Sequence, residues 1–250
     1  MGGGSNLLFD DAGLRALVIA DRMTQKTYEG RLIRVESGVG FHELILQSVE
    51  QGLSGLEFAA GIPGTVGGAV WGNAGCYGQS IGDFLVTARW IEKDGRVVEV
   101  GPAAFEFAYR DSALKRNGNV LVDFALHLNE GNLAQSEATI RKNVQLRERK
   151  HPHGEPCAGS YFKNVPPLDP NDRRIPAGKL LEDVGAKSLR VGGAAVFHKH
   201  ANIIINAGGA TAKDVLTLAA EMKRRVREQF GIELEEEVSY IPPELNAPAR

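Results

Sequence analysis

The chain has 250 residues, 43% of them hydrophobic, enough for one large domain or two modest ones with real cores. Its net charge of −2 gives no general attraction to nucleic acid or acidic membranes, and no apolar run approaches the roughly 20 residues that span a bilayer. The N-terminus lacks a basic-then-apolar leader, and Cys76 and Cys157 lie far apart outside any CxxC pattern, so a cytoplasmic protein with reduced cysteines and no zinc site is expected.

The first segment, Gly2-Gly3-Gly4-Ser5-Asn6, suits a compact anion-binding turn. Residues 14–20 and 31–37 read as strands, and residues 41–51 as an amphipathic helix with Leu44, Ile45 and Val49 on one face. A glycine-rich tract follows, with Gly61, Gly64, Thr65, Gly67, Gly68, Asn73 and Gly75. Glycine permits positive φ and close approach of main-chain N–H groups to a ligand, and the short apolar residues between the glycines leave a smooth floor rather than an ordinary core. Together the two tracts suggest a dinucleotide held along its pyrophosphate. Residues 85–100 alternate polar and apolar around Asp94-Gly95, a hairpin signal. Residues 119–129 read as a strand, and 134–150 as a polar helix whose basic end runs into His151-Pro152, where a domain boundary is expected.

The second half has a different rhythm: a loop over residues 156–170, a short helix over 177–184 and a buried strand over 202–206. A long helix comes next, with Thr211 and Asp214 approximating a capping box, Val215, Leu218, Met222 and Val226 at helical spacing, and Gly231 placed to end it. A strand over 235–241 leads into a Pro-rich tail expected to be loose. The pattern is α+β with two domains, 1–150 and 151–250.

Four separated segments, read together, carry a family resemblance: Gly2-Gly3-Gly4-Ser5-Asn6, the Gly61 to Gly78 tract ending Asn73-Ala74-Gly75-Cys76-Tyr77-Gly78, Tyr109-Arg110-Asp111-Ser112, and Gly159-Ser160-Tyr161-Phe162-Lys163-Asn164. With Lys179-Leu180-Leu181-Glu182, His200-Ala201-Asn202 and Leu234-Glu235-Glu236-Glu237-Val238, the chain resembles the compact form of the MurB-type UDP-N-acetylenolpyruvoylglucosamine reductases over nearly its whole length. The resemblance implies an FAD-binding domain of the vanillyl-alcohol-oxidase (PCMH) type followed by a smaller α+β substrate-binding domain. It also implies the activity: NADPH-dependent, flavin-dependent reduction of a UDP-sugar enolpyruvyl ether to UDP-N-acetylmuramate, in peptidoglycan precursor synthesis. A monomer acting on a small molecule is expected.

Hydride addition to the terminal enol carbon leaves negative charge on the adjacent carbon, spread into the carboxylate. The resemblance gives Arg110 the task of stabilising that charge, for which a permanently charged, bidentate guanidinium is suited. It gives Ser160 the proton donation, which requires a hydroxyl held beside the carbon and away from bulk water. Glu237 matches the family's catalytic glutamate; on a strand, Glu235 and Glu237 face one side and Glu236 the other, and crowding with anions favours a protonated Glu237. Tyr109, Lys150 and Asn164 match substrate-contacting positions, Lys150 toward phosphate, and the residues of the two glycine tracts named above match the cofactor contacts. The pairs His151 and His153, and His198 and His200, have no acidic or cysteine partner at useful spacing, so no metal is expected.

The family carries strands and a helix ahead of its Gly-Gly-Gly-Ser-Asn turn, whereas this chain starts at that turn, so an N-terminally truncated FAD-binding domain with a looser pyrophosphate site is expected. Cys157 and Val165 stand where the family more often has Asn and Pro. Two alternatives remain at this point: a noncatalytic remnant that binds nucleotide sugar without stable FAD, and an oxygen-reacting FAD oxidase of the same fold.

Overall fold

Alternating buried and exposed residues, as in Ile33, Arg34 and Val35, give strand Leu32–Glu36 one apolar face, and it pairs with four others into a five-stranded antiparallel sheet. The computed structural model describes residues 1–167, 169 and 172–244. Strand order is Lys26–Glu29, Leu32–Glu36, Val120–His127, Leu85–Ile91, Val97–Val100. The Asp94-Gly95 hairpin forms as expected: Gly95 takes φ +88°, and its N–H donates to the Glu92 carbonyl at 2.9 Å. Helix Phe41–Glu50 buries Phe41, Leu44, Ile45 and Val49 in the core that Ile33, Val35, Phe124 and Leu126 supply from the sheet. The polar helix Leu133–Lys150 buries little and is fastened by polar bonds instead. Asn132 Oδ1 accepts from Gln135 N at 3.1 Å near its start, and Asn143 Nδ2 donates to the Glu57 carbonyl at 2.8 Å.

The later residues build a four-stranded antiparallel sheet in the order Cys157–Ser160, Ile203–Asn206, Ala194–Val196, Arg190–Val191. Helix Ala212–Phe230 contributes buried Leu218, Met222 and Val226 to the same core as Ile204 and Val196. Its capping box is present, with Thr211 Oγ1 accepting from Asp214 N at 3.1 Å, and Gly231 ends it at φ +68°. The short helix is Ala177–Asp183. The molecule is α+β, the class expected from its sequence.

Internal contacts divide the chain into two units. One comprises Met1–Gly4 and Val18–Arg147; the other comprises Ser5–Leu17 and the chain from Glu148 onward. The second boundary falls near residue 150, but Ser5–Leu17 belongs with the later residues rather than the early ones. The cause is a parallel pairing across the sequence, Leu7–Phe9 with Ser239–Ile241.

Four further expectations are corrected. Residues 14–20 form no strand: Leu17 is 88% and Ile19 71% exposed, and β propensity without a partner ladder makes no sheet. Within the expected strand 235–241 the continuous strand covers only Ser239–Ile241, and Glu236 makes an isolated antiparallel bridge to Phe162. Part of the expected loop 156–170 is the strand Cys157–Ser160, although residues 168 and 170 of that loop lie outside the described residues. The glycine-rich tract is not simply a floor, since Val66–Trp71 is helical and Val66 and Val70 are fully buried. The Pro-rich tail lies outside the described residues from 245 on. Among the described residues, no helix is long and apolar enough to cross a membrane, and no group of three or more His, Cys, Asp or Glu could hold a metal ion.

Candidate active site

In the first unit the two glycine tracts touch. A Cβ on Gly3 would lie 3.0 Å from Gly64 Cα, and one on Gly2 would lie 2.3 Å from Thr65 Oγ1, so the two backbones approach as only glycine allows. Thr65 cannot simply turn away, because its Oγ1 accepts from Gly68 N at 3.3 Å and so caps helix Val66–Trp71. Gly67 seats that helix on the sheet: its N–H donates to the Ser37 carbonyl at 2.9 Å, and a Cβ there would lie 2.6 Å from Ser37 Cβ. Gly4 and Gly64 have φ of +68° and +114°. The N–H groups of Gly3, Gly4, Gly64 and Thr65 have no acceptor among the described residues. Unclaimed donors on two closely apposed backbones are what a pyrophosphate needs, so the residues present fit FAD.

Two residues expected to contact the cofactor also make bonds within the protein. Asn73, buried with φ +42°, donates from Nδ2 to the Ala108 carbonyl at 2.9 Å and accepts at Oδ1 from Gly82 N at 3.1 Å. Gly75 leaves no room for a side chain, its Cβ position being 2.6 Å from the Gln79 carbonyl, and its own carbonyl accepts from Arg110 NH1 at 2.7 Å. Both therefore help to build the surroundings of Arg110. Gly61, at φ +81°, accepts at its carbonyl from Arg147 Nε at 3.0 Å.

Arg110 takes φ +55°, a left-handed conformation costing about 1–2 kcal/mol outside glycine. Mutual backbone bonds of 3.1 Å between Ala108 and Asp111 impose it, and Lys115 Nζ donates to the Arg110 carbonyl at 2.7 Å. The guanidinium carbon sits 5.4 Å from the centre of the Tyr109 ring. The neighbouring Asp111 pairs with Arg116, which also holds Glu106 at 2.9 Å. Arg147 is a cation that sequence reasoning missed, because it sits in an unremarkable polar helix. Burial, and also the like charge of Arg110, hold it below the ordinary arginine range, against the opposing influence of Cys76 and Tyr77.

Ser160 and Glu237 belong to the second unit, on adjacent stretches of backbone. Ser160 ends the strand Cys157–Ser160, opposite Ile203, after a bulge in which Gly159 has φ +77°. The next residue, Tyr161, accepts at its carbonyl from Glu237 N at 2.8 Å. Burial, and then the charge of Glu236, push the Tyr161 hydroxyl up to about 12. The three consecutive glutamates separate by partner rather than by strand alternation. Glu235 pairs with Lys163 at 2.5 Å and Glu236 with Lys223 at 3.0 Å, both carboxylates being exposed, while Glu237 is half-buried. Asn6, which continues the first glycine turn, donates from Nδ2 to the Glu237 carbonyl at 3.0 Å, and Ser5 precedes it in the same unit.

Behind Ser160 stands Asn202, 3% exposed and also missed as a site residue. Its Oδ1 accepts from Phe162 N at 2.9 Å, its Nδ2 donates to the Phe162 carbonyl at 2.8 Å, and its own carbonyl accepts from Tyr161 N at 2.8 Å. Asn164, expected at the substrate, accepts at Oδ1 from Ala177 N at 3.2 Å and so supports the start of helix Ala177–Asp183. Lys150 is exposed at the end of its helix. Its charge, after burial, helps to hold His200 below the ordinary histidine value.

Comparison with known proteins matches both parts of the chain. Residues 1–101 fit the model of an FAD binding domain, and residues 151–241 that of the UDP-N-acetylenolpyruvoylglucosamine reductase C-terminal domain. The reductase of that name from Solibacter usitatus is 42% identical over 257 residues, spanning 96% of this chain and 81% of the relative. The Bacillus subtilis reductase is 39% identical over 244 residues, spanning 96% of this chain and 78% of the relative. The crystal structure of the Thermus caldophilus enzyme superposes with a TM-score of 0.76 at 33% identity, covering 97% of this chain and 84% of that one. On these identities, over nearly its whole length, the chain belongs to the UDP-N-acetylenolpyruvoylglucosamine reductase family.

Proposed function

We propose that the chain reduces the enolpyruvyl ether of UDP-N-acetylglucosamine to UDP-N-acetylmuramate with NADPH, as a step in peptidoglycan precursor synthesis in the cytoplasm, and acts as a monomer. FAD, the cofactor of the family, supplies when bound the hydride chemistry between NADPH and the enol carbon. The chain's own residues do the rest. Main-chain N–H groups of Gly3, Gly4, Gly64 and Thr65 are assigned to the pyrophosphate. Arg110 holds the enolpyruvyl carboxylate and the charge that spreads into it; the left-handed backbone, fixed by its neighbours, sets the guanidinium before substrate arrives. Ser160 gives its hydroxyl proton to the carbanion carbon, which leaves a saturated lactyl ether. Glu237 supports that transfer by a hydrogen bond. Lys150 and Asn164 are assigned to the nucleotide sugar.

One observation carries the reading: Ser160 and Glu237, 77 positions apart in sequence, are brought one hydrogen bond from each other through Tyr161, at the positions the family resemblance selects. Purified protein tests it. FAD-loaded protein should oxidise NADPH only when the enolpyruvyl sugar is present and form UDP-N-acetylmuramate stoichiometrically. A colourless protein that FAD cannot restore supports the noncatalytic nucleotide-sugar binder instead. NADPH oxidation that depends on oxygen alone supports an oxidase.

A further inference from the structure

The backbone after Ser160 is held in place by Asn202, and Asn202 is in turn held by His200. Its N–H donates to His200 Nδ1 at 3.2 Å. That bond requires a lone pair on Nδ1, so the ring proton sits on Nε2 and the imidazole is neutral. A protonated ring would set N–H against N–H at this contact.

The ring lies close to the Gly178 backbone, where an added Cβ would be 3.2 Å from His200 Cε1. The backbone of the turn is bonded on both sides, His200 N to the Phe197 carbonyl at 3.1 Å and Ile203 N to the His200 carbonyl at 3.1 Å. The ring of His151 lies 5.7 Å from that of His200, centre to centre. Lys150 from the helix Leu133–Lys150 and Lys187 from the turn after Val184 face the ring with positive charge, and Glu182 from Ala177–Asp183 faces it with negative charge.

We propose that His200 is a positioning residue for Ser160: its neutral Nδ1 anchors Asn202, whose amide clamps Phe162, and protonation of the ring releases the strand that carries the serine. Three bonds from Asn202 onto Tyr161 and Phe162 make the linkage short, two residues at most from the hydroxyl. Burial and the two lysines oppose protonation, so the anchor is kept through neutral pH and released in acid. The inference rests on the proposed role of Ser160 for its functional meaning, while the clamp itself is testable without turnover.

The test is amide hydrogen exchange by NMR at Tyr161, Phe162 and Asn202 in the FAD-loaded protein from about pH 5 to 8, with the His200 ring followed through its own Cε1 proton. Protection at Phe162 should fall about tenfold in step with the ring's titration, the scale of losing one hydrogen bond in the chain of contacts. His200→Asn keeps an acceptor near the Nδ1 position and cannot titrate, so it should retain protection at every pH and move the acid limb of kcat/KM to lower pH. His200→Ala should be about tenfold less protected throughout. Protection that ignores the ring's titration, or the same loss in His200→Asn as in His200→Ala, overturns the proposal. Absence of turnover in the parent refutes the reductase reading and leaves the exchange result to decide the clamp.

Discussion

Gly3→Ala probes the approach of the first glycine tract to the backbone of the second. The added Cβ would lie 3.0 Å from Gly64 Cα, with Gly64 C at 3.7 Å and N at 3.8 Å, so a single backbone atom makes the clash and it cannot rotate aside. Carbon atoms rest at about 3.5–4.0 Å, so the two backbones must separate by roughly 0.5–1 Å. A phosphate-directed N–H···O bond near 2.8 Å would then stretch to about 3.5 Å, the edge of useful geometry. Hydrogen bonds to charged groups contribute about 1.5–3 kcal/mol, so losing one weakens FAD binding by about 10-fold to 150-fold. Gly101→Ala is the matched control, since nothing lies within 4 Å of its Cβ position and its φ is not positive. Fluorescence titration of deflavinated protein with FAD reads the dissociation constant, and thermal unfolding of the same samples shows that each variant folds. If Gly3→Ala binds FAD within about twofold of the parent while folding normally, the pyrophosphate does not lie on these backbones and the assignment of the tract fails.

Arg110→Lys keeps the positive charge but removes the bidentate fork and alters the cation–ring contact with Tyr109, so kcat/KM should fall about 10²–10³-fold with FAD affinity unchanged. Steady-state rates and the flavin titration check both halves. Asn202→Ala removes two bonds of 2.9 and 2.8 Å to the buried Phe162 and should lower stability by about 2–4 kcal/mol in denaturant unfolding. The pH dependence follows from His200, whose folded value lies below its ordinary 6.5, chiefly through burial. As pH falls below 6.5 the unfolded chain takes up a proton before the folded one does, so stability should decline from there to the folded value and then level off. His200→Asn should flatten that decline in urea titrations at a series of pH values.

Helices were the most legible part of the fold because each carries its own evidence. Leu44, Ile45 and Val49, or Leu218, Met222 and Val226, repeat at the helical period, and Thr211, Asp214 and Gly231 mark two ends of one helix. Strands depend on partners the local sequence does not name. Residues 14–20 have the composition of a strand and no ladder to join, whereas Leu7–Phe9 finds Ser239–Ile241 across most of the chain. The same limit shaped the site. Arg110, Ser160, Glu237 and the glycine tracts were selected by motif, but the motif could not tell that Asn73 and Gly75 bond the backbone and side chain around Arg110. Nor could it show Arg147, or the bonds that give Asn202 its role, because these are contacts with Gly61 and Phe162 far away in sequence. The His200-Ala201-Asn202 segment, at the start of an apolar run, was the available signal for Asn202.

The central claim, that the Ser160 hydroxyl protonates the carbon left by hydride addition, is tested most directly by stopped-flow absorbance on Ser160→Ala loaded with FAD. NADPH should bleach the flavin at the parent's rate, while its recolouring by the enolpyruvyl sugar should slow by about 10²–10⁴-fold, the contribution of a positioned acid. Recolouring at the parent's rate would contradict the account.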